Sequence, residues 1–331
     1  MKKIIISLLI LIFGGVYVPT AFTYQNSISG NDIVFFDAID PKTSQPIGGY
    51  TTADQFYTDA KSNQAPSDPI EDTPFVIPNN CTRLQHSGDP TNRLDIVFVP
   101  VHQYGEVGSD SKFAQDVSIF IQEFKDFPQM SDNMDKMNFY RIDSLNFSDG
   151  CMAYQQNPVC DRDMIIDIVS QCPGFNLDNN DQIVILFDQE TVPVSYSRAE
   201  PDYNMAYLQS SAPYLMMHEF GHSFAGLGDE YNSGYPASVD PWFPNCASET
   251  PGFTCDDKWG SQMDSTVGCY EVCGATNWYR PTFSDSVMKN VFLDHFCPIS
   301  TEVVDRLLSI YRDQKPMPVS IEFSAPNHII R

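Results

Sequence analysis

The run His218-Glu219-Phe220-Gly221-His222 is where this chain's residue types and spacing can do chemistry. On an α-helix, positions four apart lie one above the other, so the imidazoles of His218 and His222 can close on one metal ion. Imidazole is a natural zinc ligand, and two of the metal's four positions are then filled. Glu219 is rotated by about 100° from His218 around the helix, which puts a carboxylate beside the metal, where a bound water sits. A group there can serve as a general base.

A catalytic zinc takes a third protein ligand and keeps its fourth position open. Asp229 follows Gly226 and Gly228, and a chain reversal at those glycines brings its carboxylate towards the metal. Glu230 and His295 are the alternatives, since carboxylate and imidazole serve zinc equally well. The element that positions the pair is a helix with legible ends. Ser211 is its expected cap, and Pro213 falls in the first turn, where a missing N–H costs nothing. Met216, Phe220 and Phe224 repeat on the side away from the histidines and predict a buried face.

The stretch from His218 to Tyr231, with Asp229, Glu230 and Tyr231 at its end, resembles the signature of the M64 metallopeptidases, the immunoglobulin A peptidase family. Gly268-Cys269-Tyr270-Glu271, Tyr279-Arg280-Pro281-Thr282 and Ser286-Val287-Met288 are similar to that family's downstream segment, and Arg93 to Val99 to its opening strand. The likeness covers about residues 91 to 300, and the helix block is its specific part. It implies a metzincin-like zincin with a methionine turn at Met288 beneath the metal. It also implies that Met205-Ala206-Tyr207-Leu208 is the sheet edge along which an extended peptide lies. Metzincins usually carry glycine three residues and the third ligand six residues after the second histidine. Here Gly226 and Asp229 each come one residue later.

Length and composition frame this reading. The 331 residues, 42% hydrophobic and 13% aromatic, can bury a large core and exclude a disordered chain. Nineteen basic against 43 acidic residues give a net charge of −24, which disfavours nucleic acid. Met1-Lys2-Lys3 and the apolar run Ile4 to Val18 read as a secretory signal peptide over 1–23, too short for a stable membrane span. Nine cysteines beside such a leader point to an oxidising compartment and disulfides, and the odd count implies a free thiol or an external bond. Their pairing stays open, with a structural zinc on Cys269 and Cys273 as the rival.

Along the chain, 24–90 reads as a loop-rich N-terminal region, and 91–331 as the zinc metallopeptidase domain. Strands are expected at Leu94 to Val101, Met137 to Asp143, Gln182 to Phe187, Val192 to Ser197 and Asn204 to Gln209. Helices are expected at Ser111 to Phe127, Asp161 to Cys172 and Thr301 to Gln314. The fold class is therefore α/β (α+β): a mixed twisted sheet, an active-site helix and a disulfide-stapled C-terminal subdomain. Asn176 to Asp181 gathers oxygen side chains, yet it lacks the glycine and final glutamate of an EF-hand, so calcium has no support beyond a turn's composition. From Asn232 to about Asp285 the chain is irregular and rich in cysteine. It supplies the expected cleft walls, with Tyr231, Tyr270, Tyr279 and Arg280 as candidate donors to an oxyanion.

The expected function is a secreted zinc endopeptidase acting on protein or peptide substrates, with Glu219 as general base. The alternative is a non-catalytic binding protein on a peptidase scaffold, whose metal is structural or absent.

Overall fold

The computed structural model describes residues 33–39, 46–52, 80–101, 104–145, 151–154, 157–188, 197–235, 243–248, 254–260, 262–263 and 266–311. The leader at 1–23 and the expected strand from 192 to 196 lie outside the described residues. Strands β1 (Ile33–Ile39) and β2 (Pro46–Thr52) form an antiparallel hairpin. Then follow β3 (Cys81–Gln85), β4 (Leu94–Pro100), helix α1 (Lys112–Asp126) and β5 (Met137–Ile142). A second hairpin, β6 (Cys151–Tyr154) and β7 (Asn157–Cys160), leads to α2 (Arg162–Val169). Next come β8 (Gln182–Phe187), β9 (Arg198–Glu200), β10 (Met205–Gln209) and α3 (Met216–Ala225). The C-terminal part holds β11 (Ala247–Ser248), α4 (Cys255–Trp259), β12 (Tyr270–Cys273), β13 (Ala275–Arg280) and α5 (Pro298–Leu308).

The main sheet has the order β3-β5-β4-β8-β10-β9. Its inner strands β5, β4, β8 and β10 are parallel, while β3 and β9 pair antiparallel at the two edges. Every residue of β4, β5, β8 and β10 is buried, as expected of parallel strands covered on both faces. The mixed α/β character follows from the sequence. One strand was not expected: β3 lies inside the stretch read as loop-rich.

One strand takes a different place from the one the resemblance implied. Met205–Gln209 is not the sheet edge, because β9 pairs with it at Met205, Ala206 and Tyr207. Glu200 at the end of β9 accepts from Arg162 on α2 at 2.6 Å and also pairs with Arg198. The short outer strand is thereby tied to a helix as well as to β10.

Local signals place the helices. Ser111 accepts from Ala114 N at the start of α1, and Asp161 accepts from Met164 N at the start of α2. The stripe Phe113, Val117, Phe120, Ile121 and Phe124 of α1 is buried, and Phe124 meets both Phe139 of β5 and Phe220 of α3, 5.3 and 5.1 Å between ring centroids. Helix α1 thus links the sheet to the histidine helix. The closing helix starts at Pro298, earlier than expected, because Cys297 takes the cap position and its sulfur accepts from Ser300 N.

Four disulfides join Cys81–Cys172, Cys151–Cys160, Cys246–Cys273 and Cys255–Cys269. Cys269 and Cys273 thus belong to separate bridges, which removes the structural zinc on that pair. Cys297 is a free, buried thiol rather than one of the staples. Among the described residues no helix is long and apolar enough to cross a membrane.

Candidate metal centre

The histidine helix begins with a tight turn, Pro213–Leu215, before α-helical bonding starts at Met216. Ala212, not Ser211, stands at the cap of that turn, and no side chain caps it. Pro213 sits in the first turn as its chemistry allows. The helix ends at Gly226, whose φ of 59° is left-handed, and Gly226 N and Leu227 N donate back to His222 O and Gly221 O. All ten residues of α3 are buried, so the face carrying the histidines is covered as fully as the apolar one.

That reversal delivers Asp229. His218 Nε2 and His222 Nε2 lie 3.2 Å apart, and Asp229 Oδ1 is 3.2 Å from each. Four tetrahedral ligands about 2.0–2.1 Å from a zinc ion are separated from one another by roughly 3.3 Å, so the observed triangle fits three of the four positions. Both Nδ1 atoms face backbone carbonyls, His218 that of Val287 at 3.1 Å and His222 that of Leu227 at 2.6 Å. A carbonyl can only accept, so each Nδ1 carries the proton and each Nε2 presents a lone pair to the shared centre. Asp229 Oδ1 is buried with no hydrogen-bond donor. These three residues can hold a metal ion.

The other two candidates for third ligand point elsewhere. Glu230 Oε1 accepts from Asn245 Nδ2 at 3.1 Å and from the Cys297 thiol at 3.4 Å. Burial pushes the Glu230 carboxyl up to about 7, against the lowering effect of these bonds. His295 is partly exposed and lies between Asp285 and Asp294, 2.6 and 3.0 Å away. Neither joins the ligand group.

Met288 is fully buried under the helix. A Cβ added at Gly221 would fall 2.7 Å from Met288 Sδ and 3.1 Å from Phe296, so the glycine is what lets this turn approach. Met288 O also accepts from Glu230 N at 2.9 Å, just past Asp229. Glu219 is wholly buried on α3 between the two histidines.

Of the four candidate oxyanion donors, Tyr231 lies against the histidine pair, its ring roughly parallel to that of His218 with centroids 6.2 Å apart. Arg280 instead spends its guanidinium on backbone carbonyls, those of Glu271, Val272 and Phe283. Tyr279 packs on the cluster of Cys255, Trp259 and Cys297, and Tyr270 meets Phe283 edge-on at 6.0 Å. The structure thus ties Arg280 and Tyr279 into the C-terminal part. The Asn176–Asp181 turn spends its oxygens on backbone N–H groups: Asp181 accepts from Asp95 N of β4 and from Asn176 N, and Asn176 Oδ1 accepts from Asp178 N. Among the described residues that turn gathers no metal-holding group.

Sequence reasoning missed Asn245. It is fully buried, accepts from Gly228 N at 2.7 Å and donates to Gly228 O at 2.8 Å, so one amide grips the residue before Asp229 in both directions. No periodicity marks it; its one sequence signal is its place directly before Cys246. No family model matches the chain, and no curated protein aligns with it.

Proposed function

We propose that this protein is an exported zinc endopeptidase that hydrolyses peptide bonds with a water molecule activated beside Glu219. The observation that carries the reading is the buried triangle of His218 Nε2, His222 Nε2 and Asp229 Oδ1, with 3.2 Å sides. Its histidines are fixed in the tautomer that presents both Nε2 lone pairs. Zinc bound there would supply Lewis acidity towards a peptide carbonyl and lower the pKa of a water to about 7. His218, His222 and Asp229 would hold the ion, and the anionic Asp229 would reduce its residual charge. More of the proton abstraction then falls to Glu219, whose carboxylate takes the proton from water and returns it to the leaving amine.

Further support comes from the likeness to the M64 metallopeptidases at the helix block and at Met288, and from the charged start and apolar run at the N-terminus. Four disulfides suit an oxidising compartment. With β10 covered along most of its length, β9 is the outer strand to which an extended peptide would add. The test is incubation of purified protein with a mixed peptide library, with and without a chelator, reading the cut sites. Cleavage that stops with chelator and returns with zinc supports the proposal. A zinc-loaded protein that cuts nothing leaves the binding-protein alternative in its place.

A further inference from the structure

We propose that the Cys246–Cys273 disulfide is the buckle of the loop that carries Asp229, so that the metal centre is complete only while this bond is closed. The inference rests on the reading of His218, His222 and Asp229 as ligands.

Residues 228–235 form neither helix nor strand, apart from a single bridge between Asn232 and Gly274. Two residues hold this loop from either end, and each is the chain neighbour of a half-cystine. Asn245, directly before Cys246, grips Gly228 through both its N–H and its C=O and donates to Glu230 Oε1. Gly274, directly after Cys273, donates to Tyr231 O at 2.7 Å and accepts from Ser233 N and Tyr235 N, each at 3.1 Å. Asp229 lies between the positions that Asn245 holds, and Tyr231, against His218, is held by Gly274. The loop also packs on the bridge itself, since a Cβ at Gly228 would come 2.9 Å from Cys246 Sγ.

The other bridges lack this relation. Cys151–Cys160 closes its own hairpin, and Cys81–Cys172 ties edge strand β3 to the end of α2. Opening Cys246–Cys273 therefore removes the covalent tie between the segments that carry Asn245 and Gly274 and leaves them the β11–β13 pairing, while the main sheet and α3 keep their own contacts. Closing the bond passes two electrons and two protons to a disulfide oxidant, which leaves as two thiols. A phosphine with water reverses the step and ends as the phosphine oxide. The consequence is a metal affinity that follows the redox state of the compartment.

The test uses the full chain and Co2+ alone, titrated against a competing chelator and followed by its visible absorption. Removing a group that orients a ligand costs about 10–100-fold in metal affinity. Cys246→Ser/Cys273→Ser and Asn245→Ala should each show a loss in that range, and the triple variant little more than either, because both act through the same loop. Cys151→Ser/Cys160→Ser should stay within about threefold of the parent, the margin expected for a distant, independent site. A Cys246→Ser/Cys273→Ser protein with parental circular dichroism that still binds Co2+ at parental strength overturns the proposal. Should that variant fail to fold, the oxidised parent is treated with a phosphine after folding, and hydrogen exchange is read over 228–235. Faster exchange there on opening of Cys246–Cys273 is expected, and unchanged exchange overturns the buckle. A parent that binds no Co2+ would overturn the ligand reading instead, and the exchange measurement would still decide the buckle.

Discussion

His218 and His222 divide their ring nitrogens the same way, Nδ1 to a backbone carbonyl and Nε2 to the common centre, and this division is what suits them to hold a metal ion. The role of Glu219 separates from theirs in a measurable way. Glu219→Gln keeps the size of the side chain and removes its basicity, so metal binding should persist while peptide hydrolysis falls by about 10²–10⁴-fold, the usual worth of a positioned general base. A variant that cleaves at the parental rate would remove the base assignment. Asp229 and Glu230 are neighbours with opposite surroundings, one facing two imidazoles and the other an amide and a thiol. Asp229→Ala should therefore abolish tight metal binding, while Glu230→Gln, which can still accept from Asn245, should leave it within about tenfold, the lower limit for losing an orienting partner. Isothermal titration of both variants with zinc checks the contrast.

At the scale of elements, α3 is held from three sides: Phe124 of α1 against Phe220, the Met288 turn against Gly221, and the reversal at Gly226. Gly221 is the tight point. Gly221→Ala puts a methyl group 2.7 Å from Met288 Sδ, so the buried Met288 side chain must give way, and overpacking of this kind costs about 1–3 kcal/mol. Urea denaturation should show the loss, and adding Met288→Ala should give less than the sum of the two single effects, because the residues share one contact. Equal and additive losses would mean that the turn does not rest on this helix. The turn also carries Val287 O, the partner of His218, so the same variant should weaken metal binding along with stability.

For the molecule as a whole, a bound metal and a buried acid pair set opposite demands on pH. A metal that binds only the folded state adds RT ln(1 + [L]/Kd) of stability, so a chelator should lower the melting temperature and zinc restore it. Protonation of the histidines on acidification should release the metal. Asp95 and Asp181 work at the other end. Burial pushes Asp95 up to about 7 despite the bond from Asn138, and burial together with the charge of Asp95 pushes Asp181 up to about 8 despite the backbone N–H groups it accepts. Because the folded-state values lie above the unfolded one, the folded protein holds more protons, and stability is lost as pH rises through 7 and 8. Chelator-treated protein should lose about 4 kcal/mol between pH 6 and 9, about 1.4 kcal/mol for each unit by which the two folded values exceed 6, and Asp95→Asn should flatten that slope. Urea denaturation at the two pH values measures it, and an unchanged slope in the variant would show that the pair does not drive it.

The sequence by itself determined the features that depend on neighbours along the chain. The histidine spacing, the helix starts at Ser111 and Asp161, the stop at Gly226 and the apolar run of β8 are legible because helix and strand periods act over a few residues. The tertiary structure alone decided among Asp229, Glu230 and His295, since a carboxylate's role is set by what surrounds it after the chain has turned. It also decided that β9 rather than β10 lies at the sheet edge, that Ala212 takes the place expected of Ser211, and that Arg280 serves the backbone. Asn245 and the Cys246–Cys273 pairing were beyond sequence reading for the same reason. Their partners lie 17 and 27 positions away, and neither a buried amide nor a half-cystine carries a pattern that names its partner.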